Sequence, residues 1–244
     1  MVKILLGILL YSSVFASTIK VAIAANLAYA ITPLKEAFLQ KHPDAHIDII
    51  QGSSGKLSAQ IQHGAPYALF LSADTKYPMH LYHDKHSKEA PIVYAKGQLV
   101  LFSRHKRDFS SSIMILKNPD IQRIAIANPK TAPYGKAAKE ALTNAKLYDT
   151  LQNKFVYGES IAQTLTYTLR ATDIGIIAKS ALYTPAMQSY TQDAHWIALD
   201  TSLYTPIKQS MILLCEDKTA QDFYQFLQSP QAKEILHTYG YDTP

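Results

Sequence analysis

Apolar and polar positions along the first hundred residues alternate between two periods. "TIKVAIAA", "HIDIIQ" and "YALFLSAD" are short runs rich in β-branched and apolar residues and predict strands. Between them, Leu27, Ile31, Leu34 and Phe38 recur at helical spacing, with Pro33 expected to kink the helix or delay its start. Leu57 and Ile61 mark the inner face of a second, shorter helix that Gly64 and Pro66 bring to an end. "APIVYAKGQLVLFSR" then predicts a long extended stretch around Gly97, a natural place for the chain to leave one lobe for another. The plan repeats: "IQRIAIANP" is a strand leading to the alanine-rich helix of "KTAPYGKAAKEALTNAKL". "NKFVYGESIAQTLTYTLRATDIGIIAKSAL" gives strand, helix with Ile161, Leu165 and Leu169 inward, then strand. "YTPIKQSMILLCED" is expected to cross back, before two amphipathic helices separated at Ser229 and Pro230.

Strands alternating with helices predict an α/β protein with mainly parallel strands. The 244 residues suffice for two lobes of about 100 residues each. The first sixteen, "MVKILLGILLYSSVFA", carry one lysine, an apolar stretch from Ile4 to Leu10, and small side chains at Val14 and Ala16. That apolar run is well short of the roughly 20 residues needed to span a bilayer, so a cleaved secretory signal and a soluble mature chain are expected. Cys215 is the only cysteine, which rules out an internal disulfide, and its place inside "SMILLCED" predicts a buried strand position rather than a catalytic thiol. The formal charge of +5 is mild and the lysines are scattered, which argues against nucleic acid as a partner.

Four strand-to-helix turns carry hydrogen-bond donors and no charged side chain at the tip. Ala25 and Asn26 follow the first strand, Ser53 and Ser54 the second, Tyr134 follows "AIANPKTAP", and Ser160 and Ile161 follow "FVYGE". Turns of this kind gather at the carboxyl ends of the strands, where backbone N–H groups at helix starts favour an anion. Each alone is an ordinary helix cap. Together they could hold a tetrahedral oxyanion with neutral donors, each bond to a charged acceptor contributing roughly 1.5–3 kcal/mol. Glu159, one residue from a tip, must then point away.

"VAIAANLAYAITPLKEAF", "QGSSGKLSAQIQHGAPYALFLSADTKYP", "GQLVLFS", "IAIANPKTAPYGKAAKEAL" and "SPQAKEILHTYGY" together resemble the periplasmic molybdate-binding proteins of molybdate and tungstate ABC transporters. The resemblance covers nearly the whole chain after the signal. It implies a two-lobe type II periplasmic-binding-protein fold with a hinge of two crossing strands. The expected division is residues 1–16 as signal peptide, 17–97 with 203–244 as the first lobe, and 98–202 as the second. It also implies a molybdate or tungstate ligand, no cofactor, an inner-membrane ABC permease as partner and a periplasmic, monomeric protein that is not an enzyme. The family's ligand positions fall on Asn26, Ser54, Tyr134 and Ile161, with Ala25, Ser53 and Ser160 beside them. A further ligand tyrosine of many members is replaced by Ala178, and the Tyr134 hydroxyl is expected to make up for it from another direction.

Rival readings have weaker support. His80, His83 and His86 stand three apart and would bind zinc if they shared a helix face. "GSSGKL" lacks the spacing of a P-loop, and "GSSG" is not a nucleophile elbow. Another small anion, whether sulfate, phosphate or an organic acid, is the alternative ligand. An organic acid calls for a clamping arginine, and Arg104, Arg107, Arg123 and Arg170, all the arginines present, lie away from the turn tips.

Overall fold

The computed structural model describes residues 18–244, so the signal sequence read over 1–16 lies outside the described residues. Strands β1 (Thr18–Ala24), β2 (His46–Gly52), β3 (Leu69–Ser72) and β4 (Ile92–Gly97) open the chain, interleaved with helices α1 (Ile31–Leu39), α2 (Ser54–Gln62) and α3 (Lys76–His83). After β5 (Leu99–Phe102) come β6 (Ile124–Ala127), α4 (Pro133–Asn144), the short α5 (Tyr148–Leu151), β7 (Phe155–Gly158), α6 (Ile161–Arg170), β8 (Ile174–Ala178) and β9 (Trp196–Ala198). Strand β10 (Ile207–Leu213) and helices α7 (Lys218–Phe226) and α8 (Pro230–Thr238) close the chain.

Two five-stranded sheets result, ordered β2-β1-β3-β10-β4 and β7-β6-β8-β5-β9. The first is built from both ends of the chain and the second from its middle. In each, four strands point the same way and one, β10 or β5, runs against them, so strand direction is mainly parallel as expected while parallel and antiparallel pairings are equal in number. The cause is the crossing. Strand β5 enters the second sheet and β10 returns to the first directly from the neighbouring half, without the helical crossover that a parallel pair needs.

Both sheets are covered on both faces, which explains their near-continuous apolar strands. Val21, Ile23, Leu69, Leu71 and Met211 pack on one side of the first sheet with Phe38 and Phe223, while Ala22, Phe70 and Ile212 face Leu57, Ile61 and Leu81 on the other. In the second sheet Leu99, Leu101, Ile174 and Ile176 look toward Ala138 and Leu142, and Val100, Phe102 and Ile177 toward Leu165. Ala24, Ala25 and Ala73 of the first half join the apolar core of the second, so the two halves meet through dry contacts.

Local departures have simple causes. Pro33 delays α1, leaving Ala25–Tyr29 as a separate 3-10 turn ahead of it. Cys215 lies beyond the end of β10 and is half-buried, because the strand stops at Leu213 before the charged "EDK" turn. His80 and His83 lie in α3 but His86 follows it, and among the described residues no cluster of His, Cys, Asp or Glu could hold a metal ion. His80 faces Asp84 one turn on, at 3.5 Å. No helix of the described residues is long and apolar enough to cross a membrane.

Helix α4 approaches β6 closely because residue 135 has no side chain. A Cβ on Gly135 would stand 2.3 Å from the Ala127 carbonyl oxygen. Gly135→Ala is therefore expected to destabilise the fold by about 1–3 kcal/mol, lowering the thermal midpoint by about 2–10 °C. An unchanged midpoint in a calorimetric melt would contradict this packing.

Candidate functional site

Each half brings two helix starts side by side. Strands β1 and β2 are parallel neighbours in register, with Ala24 opposite Gly52, so the turn carrying Asn26 lies beside the one carrying Ser53 and Ser54. In the second sheet Ala127 is opposite Gly158, and the Asn128 amide donates to the Gly158 carbonyl at 2.7 Å, which aligns the starts of α4 and α6. The two pairs face each other across a seam. Gly55 N–H donates to the Thr131 carbonyl at 2.9 Å, and the Tyr77 hydroxyl donates to the Lys130 carbonyl at 3.3 Å. The structure thus brings together all four turns singled out in the sequence.

Ser54 is fully buried at the start of α2. Its oxygen accepts the Ala73 amide at 3.0 Å, which fills an acceptor position and leaves the hydroxyl proton free to donate. Ser53 is the N-cap of α2 yet makes no side-chain cap bond. Gly55, by contrast, commits its amide to the opposite half. At α4 the first residue is Pro133, so Tyr134 supplies the first amide of that helix, and no side chain caps it. At α6 the Ser160 oxygen caps the Gln163 amide at 3.3 Å, while Gln163 Oε1 accepts the Glu159 amide at 2.7 Å. Ser160 thus acts as a helix cap, Glu159 is exposed, and Ile161 is buried with its first-turn amide lacking an intrahelical acceptor.

The Tyr134 hydroxyl is buried at the crossing between the halves, accepting from Gln209 Nε2 at 3.1 Å. A Cβ on Gly97 would lie 1.9 Å from that hydroxyl, so the ring reaches the crossing only because residue 97 is glycine. Burial pushes the Tyr134, Tyr94 and Tyr241 phenols well up, which keeps them neutral.

Asn26 is fully buried, and its surroundings were not legible as a site. Its Nδ2 donates to Gln209 Oε1 at 2.7 Å and to the Tyr241 hydroxyl at 2.8 Å. Its carbonyl accepts from Tyr241 at 2.8 Å and from Ser180 of the other half at 3.0 Å. Its Oδ1 has no partner. Gln209, Tyr241, Tyr94 and Ser180 escaped the sequence reading, although a glutamine inside the apolar run "IKQSMIL" is itself a signal, since buried polar groups require partners.

The charge pattern is equally informative. Strand β5 runs antiparallel to β8 with Phe102 opposite Gly175, so Arg104 and Arg107 emerge at the start of β8. Arg123 precedes β6 and Arg170 ends α6, which places all the arginines at the end of the second sheet away from the turns. The nearest carboxyl in sequence to Ala73 is Asp74. It turns onto the Ser72 hydroxyl at 3.0 Å and the Tyr77 amide at 3.2 Å, and burial raises its pKa. A cleft of about 810 Å³ beside α4, bounded by Lys136, Lys139, Tyr148 and Tyr157, is lined by none of Asn26, Ser54, Tyr134 or Ile161.

The comparisons with known proteins agree with this architecture. The molybdate-binding protein ModA of Rhodobacter capsulatus is 34% identical, covering 93% of this chain and 89% of that protein. The ModA of Azotobacter vinelandii is also 34% identical, over 93% of this chain and 90% of its own. A solved structure of the Azotobacter vinelandii periplasmic molybdate-binding protein superposes with a TM-score of 0.85 at 31% identity, covering 93% of this chain and 99% of that one. The pattern of the bacterial extracellular solute-binding proteins matches residues 19–242, and the chain belongs to that family.

Proposed function

We propose that this protein is a periplasmic receptor that encloses molybdate or tungstate between two lobes and delivers it to an inner-membrane ABC permease. The lobes are residues 17–97 with 203–244, and 98–202, joined where β4 passes to β5 and where β10 returns; residues 1–16 are its cleaved export signal. It acts as a monomer, uses no cofactor and catalyses no reaction. The ligand is held by Asn26, by the Ser54 hydroxyl, and by the first-turn amides at Tyr134 and Ile161. Ala25, Ser53 and Ser160 shape the turns around it.

The observation that carries this reading is the meeting of four uncharged helix starts with no guanidinium at that end of either sheet. Oriented N–H groups at helix starts suit a compact anion. An organic acid would instead favour a bidentate arginine. Neutral donors also leave no side-chain charge to rehydrate when the ligand departs, which keeps release to a permease feasible. The similarity to ModA proteins of two organisms supports molybdate as the ligand. Closure on the ligand forms the surface that the permease meets, as in other hinge-bending receptors.

Two measurements test the reading. Molybdate at a hundredfold excess over its dissociation constant should stabilise the mature protein by about 2.7 kcal/mol, seen as a raised thermal midpoint. A panel with tungstate, sulfate, phosphate and an amino acid identifies the ligand class, and a shift with the amino acid alone would refute the proposal. Ser54→Ala should weaken molybdate binding by roughly 1.5–3 kcal/mol while the protein stays folded. An unchanged affinity in titration calorimetry would remove the Ser54 hydroxyl from the site.

A further inference from the structure

Gln209 stands where the two halves join. Opposite it, β4 and β10 slip register: Gln209 pairs with Ala95 and Ser210 with Val93, leaving Tyr94 as the extra residue of a bulge. Bulges re-aim side chains, and here the Tyr94 hydroxyl donates to Gln209 Oε1 at 3.3 Å. The same oxygen accepts from Asn26 Nδ2, while Gln209 Nε2 donates to the Tyr134 hydroxyl. One carboxamide therefore connects the first-half turn of Asn26 to Tyr134, the second residue of α4, in the second half.

This arrangement leaves Asn26 Oδ1 buried with no donor, although the amide's other side is fully bonded. A half-turn of a carboxamide exchanges its oxygen and its NH₂ group. Turning Asn26 alone would set its oxygen against Gln209 Oε1. Turning both together keeps the two amides bonded to each other and to both tyrosines, at the cost of the acceptor of the Tyr94 proton: Gln209 Nε2 donates to Asn26 Oδ1 and to the Tyr94 oxygen, and the Tyr134 hydroxyl donates to Gln209 Oε1. Tyr241 moves its proton to Asn26 Oδ1, and the Asn26 carbonyl keeps Ser180. The orphaned acceptor is replaced by a free N–H donor, the polarity that an oxyanion requires and the present orientation denies it.

We propose that Gln209 is a positioning residue for the anion site: it sets the orientation of the Asn26 carboxamide, and the two amides turn as a coupled pair when the oxyanion binds, with the Tyr134 hydroxyl as the second anchor. The inference rests on the oxyanion-receptor reading. It assigns Gln209 no contact with the ligand.

The test uses the mature chain and sodium molybdate. Gln209→Met keeps the length of the side chain and removes its directionality; it should lose about tenfold or more in affinity, since a donor and an acceptor of the pair vanish together. Tyr134→Phe leaves the α4 amide in place, removes only the hydroxyl, and serves if the first variant fails to fold; a loss of about threefold to tenfold is expected. Side-chain carboxamide resonances in ¹⁵N-labelled protein give a signature that mere stabilisation would not: those of both Asn26 and Gln209 should move on adding molybdate. In Tyr134→Phe the Gln209 change should shrink. If the unaltered chain binds molybdate while the Gln209 resonances stay fixed, or while the folded variants bind within twofold of it, the inference falls alone. If the unaltered chain binds no oxyanion, the functional reading falls and takes the inference with it.

Discussion

A buried oxyanion is met by dipoles that present their donor side to it, and the structure depends on how the other side of each such dipole is held. A hydroxyl or carboxamide is both donor and acceptor, so it presents a defined face only when its other face is occupied. Ser54 meets this condition through the Ala73 amide, which takes its lone pair. Asn26 is restrained on one side by Gln209 and Tyr241. Backbone amides need no such partner, because the helix fixes them. That is a physical reason for the proposed site to draw on the first residues of α4 and α6 beside two side chains from the other half.

The same economy would govern the opening and closing proposed for this receptor. The hydrogen bonds described across the mouth of the seam are Gly55 to Thr131 and Tyr77 to Lys130, and neutral bonds of this kind contribute about 0.5–1.5 kcal/mol each. Bonds to a dianion are individually stronger. A ligand touching donors from both halves would shift the equilibrium between arrangements by its differential affinity, added to a joint that also includes the Ser180–Asn26 and Gln209–Tyr134 bonds. The small apolar contacts of Ala24, Ala25 and Ala73 add shape to the joint without adding charge that would have to be desolvated at each cycle.

Much of this was legible in the sequence. The strands "VAIA", "LFLS" and "IAIA" are fully buried in nearly every residue, and the helix faces of Leu57, Ile61, Ile161 and Leu165 pack inward as their spacing implies. Strand direction was not legible, because β5 and β10 look like the parallel strands in composition and differ only in the route by which the chain reaches them. Pairing of His86 with the helical histidines failed for a local reason: α3 ends at His83, and Lys85 follows in a left-handed conformation with φ of 62°. Gln209, Tyr241 and Ser180 are far from Asn26 along the chain. No local pattern links them: the return of β10 and the closing segment to the first sheet brings Gln209 and Tyr241 to Asn26, and the meeting of the two halves brings Ser180.

Tyr134 shows why a side chain and its own backbone can belong to different parts of a mechanism. Its amide opens α4, while its hydroxyl lies in the hinge against Gly97 and Gln209. That hydroxyl is the only second-half group bonded to Gln209 among the described residues. Removing it would leave Gln209 Nε2 without an acceptor, a cost of about 1–3 kcal/mol. Around Asn26, Tyr241 and Ser180 both hold the backbone carbonyl. A carbonyl doubly bonded on its oxygen fixes the peptide plane of the turn, and with it the directions of the amides that flank it.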